Sequence, residues 1–380
     1  MRSRRRLLFA FLALWLAVPQ PPLHPLAAAA TVSADRFQSA IDAARAASAQ
    51  VVNAPGGPPG LGAAVLVDGR IVWAEGFGFA DLEQRQPVWP STKMRIGSVS
   101  KAITSAALGL LYEQGKLDLD APVQKYVPAF PQKQYPITTR QVAGHLAGIR
   151  HYEGHVEAEV YNTRHYKTVL EALSIFQDDP LLFKPGEQFH YSSHGWSLLS
   201  AVVEGASGLD YLGYMQEKVF DPLGMPGTVA DVNDRIILNR SHFYVHDKGG
   251  QWQNAPYVDN SYKWAAGGLL STPEDLVRFG WAIINGQLLR PETVRLFTTS
   301  LRTSDGKETG YGLGWALARD DQGRRWIGHG GSSVGGASRL MIFPDERVVV
   351  AMIINAEDMP ENVDNVTFVQ DIASRFMPKR

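Results

Sequence analysis

The chain has 380 residues, 45% of them hydrophobic and 20% charged, enough apolar material for one large core or two moderate ones. Its net charge of -1 offers no basic excess to neutralise a phosphate backbone, which argues against nucleic acid and for a small-molecule or peptide substrate. No cysteine is present, so disulfides, a thiol nucleophile and an acylated lipoprotein cysteine are excluded, and any nucleophile must be oxygen.

Arg2, Arg4, Arg5 and Arg6 precede the apolar run LLFAFLALWLAV, and Ala27 to Ala30 offer a small-residue cleavage site before Thr31. This predicts an export signal over residues 1–30 and a periplasmic or secreted mature protein. The run is about twelve residues where a spanning helix needs ~20, so no membrane span is expected in the mature chain. SRRRLL also resembles a twin-arginine signal. Next, DRFQSAIDAARAASAQ places Phe37, Ile41 and Ala44 on one helix face, and NAPGGPPG closes it. LGAAVLV and RIVWAEGFGFAD, joined by Asp68-Gly69, predict a hairpin, because Asp-Gly favours a turn that matches strand twist.

From about 98 to 264 helical patterns and irregular loops dominate. Ile103, Ala106, Ala107, Leu110 and Leu111 follow helical spacing, with Gly115 as a stop, which predicts a helix from Ser98 to Gln114. RQVAGHL and GWSLLSAVVEGASG read as further helices. The chain then returns to strands in RRWIGHG, ASRLMIFP and RVVVAMIIN, and ends on the amphipathic helix NVTFVQDIASRF. The economical assembly is α+β: an antiparallel sheet flanked by terminal helices. Residues 31–97 and 265–380 would form the sheet-bearing lobe and 98–264 a helical lobe.

Ser98 and Lys101 lie one helical turn apart on one face. A neutral amine there can accept the hydroxyl proton and a charged one favours the alkoxide, while the N–H groups of the first turn add positive potential. The bland alternative is a capping serine followed by a solvated lysine. Two further segments bear on the choice: Tyr191, just before a helix, and His329-Gly330-Gly331 on a late strand.

Ser98-Val99-Ser100-Lys101, Tyr191 and His329-Gly330-Gly331, in this order, resemble the SxxK, YxN and KTG signatures of serine β-lactamases and penicillin-binding proteins. AAGGLLSTPEDLVRFGWAIINGQ is similar to the stretch between the second and third signatures in the class C-type, peptidase family S12-like group. MRIGSVSK, GKLDLDAPVQKYVPAFP, DPLLFKPGEQFHYS and PYVDNSYKWAAGGLLST resemble the mitochondrial serine β-lactamase-like branch of that group, over nearly the whole mature chain. The resemblance implies a β-lactamase/transpeptidase-like fold and a cofactor-free, metal-free serine hydrolase. In it Ser98 attacks an amide or ester carbonyl, Lys101 exchanges a proton with Ser98, and Tyr191 serves as base and then protonates the leaving group. The backbone N–H groups of Ser98 and Ser332 would form the oxyanion hole, and Ser193, His329, Gly330 and Gly331 would contact substrate. A tyrosine's ordinary pKa is ~10, so Tyr191 needs a cationic neighbour to act as a base, and Lys101 is the obvious one.

Two departures point away from efficient antibiotic hydrolysis. Ser193 stands where the second signature ends in asparagine, and has no amide to offer a substrate carbonyl. His329 stands where many relatives carry lysine, and is expected to lose charge near neutrality, so that carboxylate recognition weakens as pH rises. GSSVG at 331–335 matches the nucleophile elbow of α/β-hydrolases, but a strand-like run follows where that motif needs a helix, so Ser333 reads as a decoy. The pairs His151/His155, His190/His194 and His242/His246 have metal-like spacing without the HExxH context. An esterase of the same fold, and a penicillin-binding or structural protein that turns nothing over, are the alternatives to a peptide hydrolase.

Overall fold

The computed structural model describes residues 27–152 and 159–378, so the export signal expected over residues 1–30 lies almost wholly outside the described residues. Among them, no helix is long and apolar enough to cross a membrane. Helix α1 covers Ala27–Asn53, and from Ser39 onward the chain forms one compact unit.

That unit is built on a seven-stranded antiparallel sheet drawn from both ends of the chain. The hairpin β1 (Gly60–Val67) and β2 (Arg70–Asp81) turns at Asp68 and Gly69, both at positive φ as the Asp-Gly pair requires. The remaining strands are β3 (Gln86–Pro87), β9 (Ala316–Arg319), β10 (Arg325–Ser333), β11 (Gly336–Phe343) and β12 (Val348–Ile354), in the order β3-β2-β1-β12-β11-β10-β9. The ends of the chain meet where β1 pairs β12, from Leu61 opposite Ile354 to Val67 opposite Val348. Every residue of β1 and β12 is buried, because helices cover both faces. Helix α6 (Pro273–Ile284) packs on the face of Ala64, Leu66, Ile342 and Val349. On the other face lie α7 (Asn365–Arg375), next to which Phe376 stacks on Trp73, and the part of α1 after Gln38, whose Arg45 pairs with Glu75.

Helices fill the middle of the chain: α2 (Val99–Glu113), α3 (Thr139–Ala143) and α4 (Ser193–Ser207) fall where the periodicity predicts them, and the short α5 (Trp264–Gly267) is one it does not. Ser192 caps α4 by accepting from the Gly195 N–H, and Gly208 closes it in the left-handed conformation. The helical expectation for 98–264 needs one amendment. Residues Val229–Ala230 (β5) join β4 (Met94–Arg95) and β8 (Leu269–Ser271) in a small sheet, and Tyr244–His246 (β6) pairs with Trp252–Asn254 (β7). These segments are two or three residues long, too short for period-2 patterning to show.

The small sheet matters because β4 leads straight into Ser98. Arg95 is buried and donates to Asp231 (2.7 Å) and to the Val334 carbonyl (2.7 Å), with its guanidinium 4.1 Å from the Phe243 ring centre. Asp231 also accepts from Asn260. One charge pair thus ties β4, the loop after β5 and the β10–β11 turn around the start of α2, and breaking such a pair typically costs about 3–5 kcal/mol.

Candidate active site

Ser98 occupies the N-terminal boundary of α2, yet its side chain makes no cap hydrogen bond. The capping alternative therefore fails, and Ser98 Oγ instead meets Lys101 Nζ at 2.9 Å. Lys101 is fully buried, and its Nζ also reaches Ser193 Oγ (3.1 Å) and the Ala266 carbonyl (2.6 Å). Burial, then the neighbouring Lys263, pushes the Lys101 pKa well below a lysine's ordinary value. A neutral amine has two N–H donors and one lone pair. A neutral amine that spends both donors on Ala266 and Ser193 has its lone pair free for a hydroxyl proton such as that of Ser98.

Tyr191 lies beside this pair, its ring centre 4.9 Å from Lys101 Nζ and its hydroxyl sharing a hydrogen bond with Ser98. The expectation that Lys101 makes Tyr191 a base is corrected here. Burial outweighs the Ser98 hydrogen bond and raises the Tyr191 pKa, so the phenol keeps its proton at neutral pH and acts in the free protein as a donor. Two histidines place it. His145 Nδ1 accepts from the Ser192 N–H (3.0 Å) and its ring lies 4.3 Å from that of Tyr191, while His151 Nδ1 accepts from the Ser193 N–H (3.1 Å). Rings that accept at Nδ1 are neutral, and burial, helped by Lys101, holds His151 at about 3. His145 stands at φ 61, an unusual conformation for a buried non-glycine residue and a reason to read the loop as built for this contact.

The third element closes the site through backbone contact. Gly97 has φ 48, and a Cβ there would come within 2.5 Å of the Ser332 carbonyl oxygen; one on Gly331 would lie 1.9 Å from the Ile96 carbonyl. Only glycine lets these two segments approach so closely, which brings Gly97, the residue before Ser98, against Ser332. Among the described residues, no strand pairs with β10 on its β9 side beyond Gly328, so His329 to Ser333 lack strand pairing on that edge.

His329 also departs from expectation. Its Nδ1 meets the Gly330 carbonyl (2.5 Å) and its Nε2 meets the Tyr311 hydroxyl (2.8 Å), a pattern met by a neutral ring that donates at Nδ1 and accepts at Nε2. Burial, then Lys101, holds its pKa at about 3. His329 is therefore uncharged throughout the neutral range, and the expected loss of charge near pH 7 does not occur. An NMR titration should find the His329 ring signals unchanged from pH 8 to pH 5, whereas an ordinary histidine moves through its midpoint near 6.5; a midpoint above 5.5 would contradict this geometry.

Ser98, Tyr191, Ser193, His329, Gly330, Gly331 and Ser332 all line one cleft of about 670 Å³, together with Tyr152, Lys263 and Arg339. A second cavity of about 650 Å³ beside the loop after β5 contains none of the predicted site residues. Ser193 is placed differently from its expected substrate contact, since its hydroxyl serves Lys101. Ser333 ends β10, and a strand follows after the Val334-Gly335 turn, so the elbow geometry is absent. The histidine pairs go separate ways: His194 joins Glu159 (3.0 Å), His246 stacks on Trp252, and His155 lies outside the described residues. Sequence reading missed His145, Tyr311 and Lys263. Their contacts form across 47, 18 and 162 positions of chain, and no local spacing announces them.

A family model described as Beta-lactamase matches residues 43–374. The human mitochondrial serine beta-lactamase-like protein LACTB is 37% identical over 76% of this chain and 70% of its own. A D-aminopeptidase of Gluconobacter oxydans is 26% identical over 84% of this chain and 59% of its own. Among solved structures, the octameric penicillin-binding protein homologue from Pyrococcus abyssi superposes with a TM-score of 0.71 at 26% identity, over 88% of this chain and 75% of that one.

Proposed function

We propose that this chain, which belongs to the beta-lactamase family, opens amide bonds of small peptides, and ester bonds of similar size, through a Ser98 acyl-enzyme. The observation that carries the reading is the buried Lys101 amine, 2.9 Å from Ser98 Oγ and with its other hydrogen-bonding capacity engaged. As Ser98 Oγ attacks the carbonyl carbon, its proton passes to Lys101 Nζ and the carbonyl π pair moves onto oxygen. The N–H groups of Ser98 and Ser332 receive that oxyanion, a contribution worth about 3–4 kcal/mol per donor in related sites. When the intermediate collapses, the Tyr191 hydroxyl gives its proton to the departing nitrogen or oxygen and is reprotonated from the Lys101 ammonium. Water then hydrolyses the ester on Ser98 by the same proton route in reverse.

Amides are preferred to β-lactams in this reading because Ser193 serves Lys101 and His329 is neutral, which removes two contacts that a penicillin-hydrolysing relative would use. The D-aminopeptidase relative supports amide chemistry. Export is part of the proposal, on the arginines and apolar run of residues 2–18. The test is turnover of p-nitrophenyl acetate, nitrocefin and a panel of peptide p-nitroanilides, with intact mass taken during reaction. A peptide or ester substrate should be consumed with an acyl adduct on Ser98, and nitrocefin should be the poorest of the three. No adduct and no turnover with any class would overturn the reading.

A further inference from the structure

Lys263 ends the short turn Ser261–Lys263 that leads into α5, on the wall of the Ser98 cleft. It is 5% exposed, and among the described residues its Nζ makes no hydrogen bond and no ion pair; the Tyr262 ring centre lies 5.3 Å away. A buried amine that makes no hydrogen bond is costly to leave unpaired, so its partner has to be sought. The neighbouring carboxylates are already committed. Asp231 serves Arg95, Arg240 and Asn260, and Asp259 serves His165 and the Ser261 N–H. Nor do the other polar groups of the cleft supply a charge for it. Lys101 is a base with a lowered pKa, His151 and His329 are held neutral, Arg339 is bound to Asn365, and Glu357 accepts from the Gly335 N–H.

We infer that Lys263 is the seat of a carboxylate carried by the substrate, so that the hydrolase acts by preference on peptides or esters with a free carboxylate close to the scissile bond. The inference rests on the reading of the cleft as a hydrolase site. It assigns to this helical turn the recognition that His329, neutral and bound to Tyr311, does not perform. The amine is suited to it: burial, then Arg95, lowers the Lys263 pKa to about 7 against the pull of Asp231, so an arriving carboxylate finds it readily protonated. Lys101 on α2, Arg95 on β4, Asp231 after β5 and Tyr262 are the titratable groups that act on it, and Arg95 and Asp231 are themselves paired.

The test compares N-acetyl-glycyl-glycine with its C-terminal amide, achiral probes that differ by one charge, titrated into the full chain at pH 6 by ligand-observed NMR. Wild type should bind the acid about tenfold more tightly than the amide. Lys263→Met should reduce that preference to within about twofold, and Lys263→Arg should keep most of it, because the charge rather than the shape is recognised. Lys263→Gln reads the same loss should the methionine variant fail to fold. Equal binding of acid and amide by wild type, no binding of either probe, or a preference that survives Lys263→Met would overturn the inference. So would a preference kept by Lys263→Met and lost in Arg339→Gln, which would move the seat to β11. Failure of the hydrolase reading is distinct: it would appear as an acid preference in wild type with no acyl adduct on Ser98.

Discussion

Ser98→Ala should abolish turnover, with kcat lower by a factor of about 10⁴ or more, and the fluorophosphonate label that marks the wild-type nucleophile should disappear with it. The melting temperature should hardly move. A serine that caps a helix contributes about 1 kcal/mol, and its loss would be visible; Ser98 Oγ makes no such bond, so its removal deletes chemistry without deleting a cap. Ser333→Ala provides the contrast. Its hydroxyl is buried at the end of β10 with no hydrogen-bond partner among the described residues, so the variant should keep both label and turnover. Labelling that survives Ser98→Ala and vanishes with Ser333→Ala would move the nucleophile to the β10–β11 turn and end the assignment made here.

Lys101→Met should lower kcat by about 10³-fold, since a positioned general base is worth roughly 10²–10⁴ and this one also orients Ser98. At the same time it should raise the melting temperature. The pKa of Lys101 is depressed in the folded protein and near ~10.4 when unfolded. Between those two values the unfolded chain binds a proton that the folded chain does not, so this group makes wild-type stability rise with pH across that window. Methionine fills similar space without a titrating amine. The variant should therefore melt above wild type at pH 7 by several degrees, and the gap should shrink by pH 10. A variant less stable than wild type at pH 7, or a gap that widens with pH, would mean that Lys101 is a charged, well-paired cation, and the base assigned to Ser98 would have to be found elsewhere. The expected pattern, activity lost and stability gained, is that of a group kept in an unfavourable place for its chemistry.

The two outcomes bear on each other. If Ser98→Ala removes the label and Lys101→Met removes turnover while stabilising the fold, the pair works as a unit in which the amine is neutral before acylation. Tyr191 is then left with a donor's task, in keeping with a phenol whose pKa burial has raised.

Much of this was legible in the chain. The i, i+3, i+4 recurrence from Ile103 to Leu111 and the apolar runs either side of Asp68-Gly69 are local patterns, and local patterns are what a helix turn and a tight hairpin obey. The SxxK spacing is likewise a statement about one helical turn, so Ser98 and Lys101 could be paired without coordinates. Tyr191 and the His329-Gly330-Gly331 run could be recognised by their order along the chain. What only the tertiary structure decided is how far each group's proton affinity is shifted and which partner it meets. Burial by residues far along the chain, then Lys263, 162 positions away, pushes the Lys101 pKa well below its ordinary value. Burial, then Lys101, disfavours the charge on His329; the start of α4 meets α2 and brings the Ser193 hydroxyl to Lys101; and Lys263 lines the cleft while Asp231 and Asp259 are bound to other residues. Burial and hydrogen-bond partnership are sums over neighbours brought together by folding, and no spacing along the chain contains them.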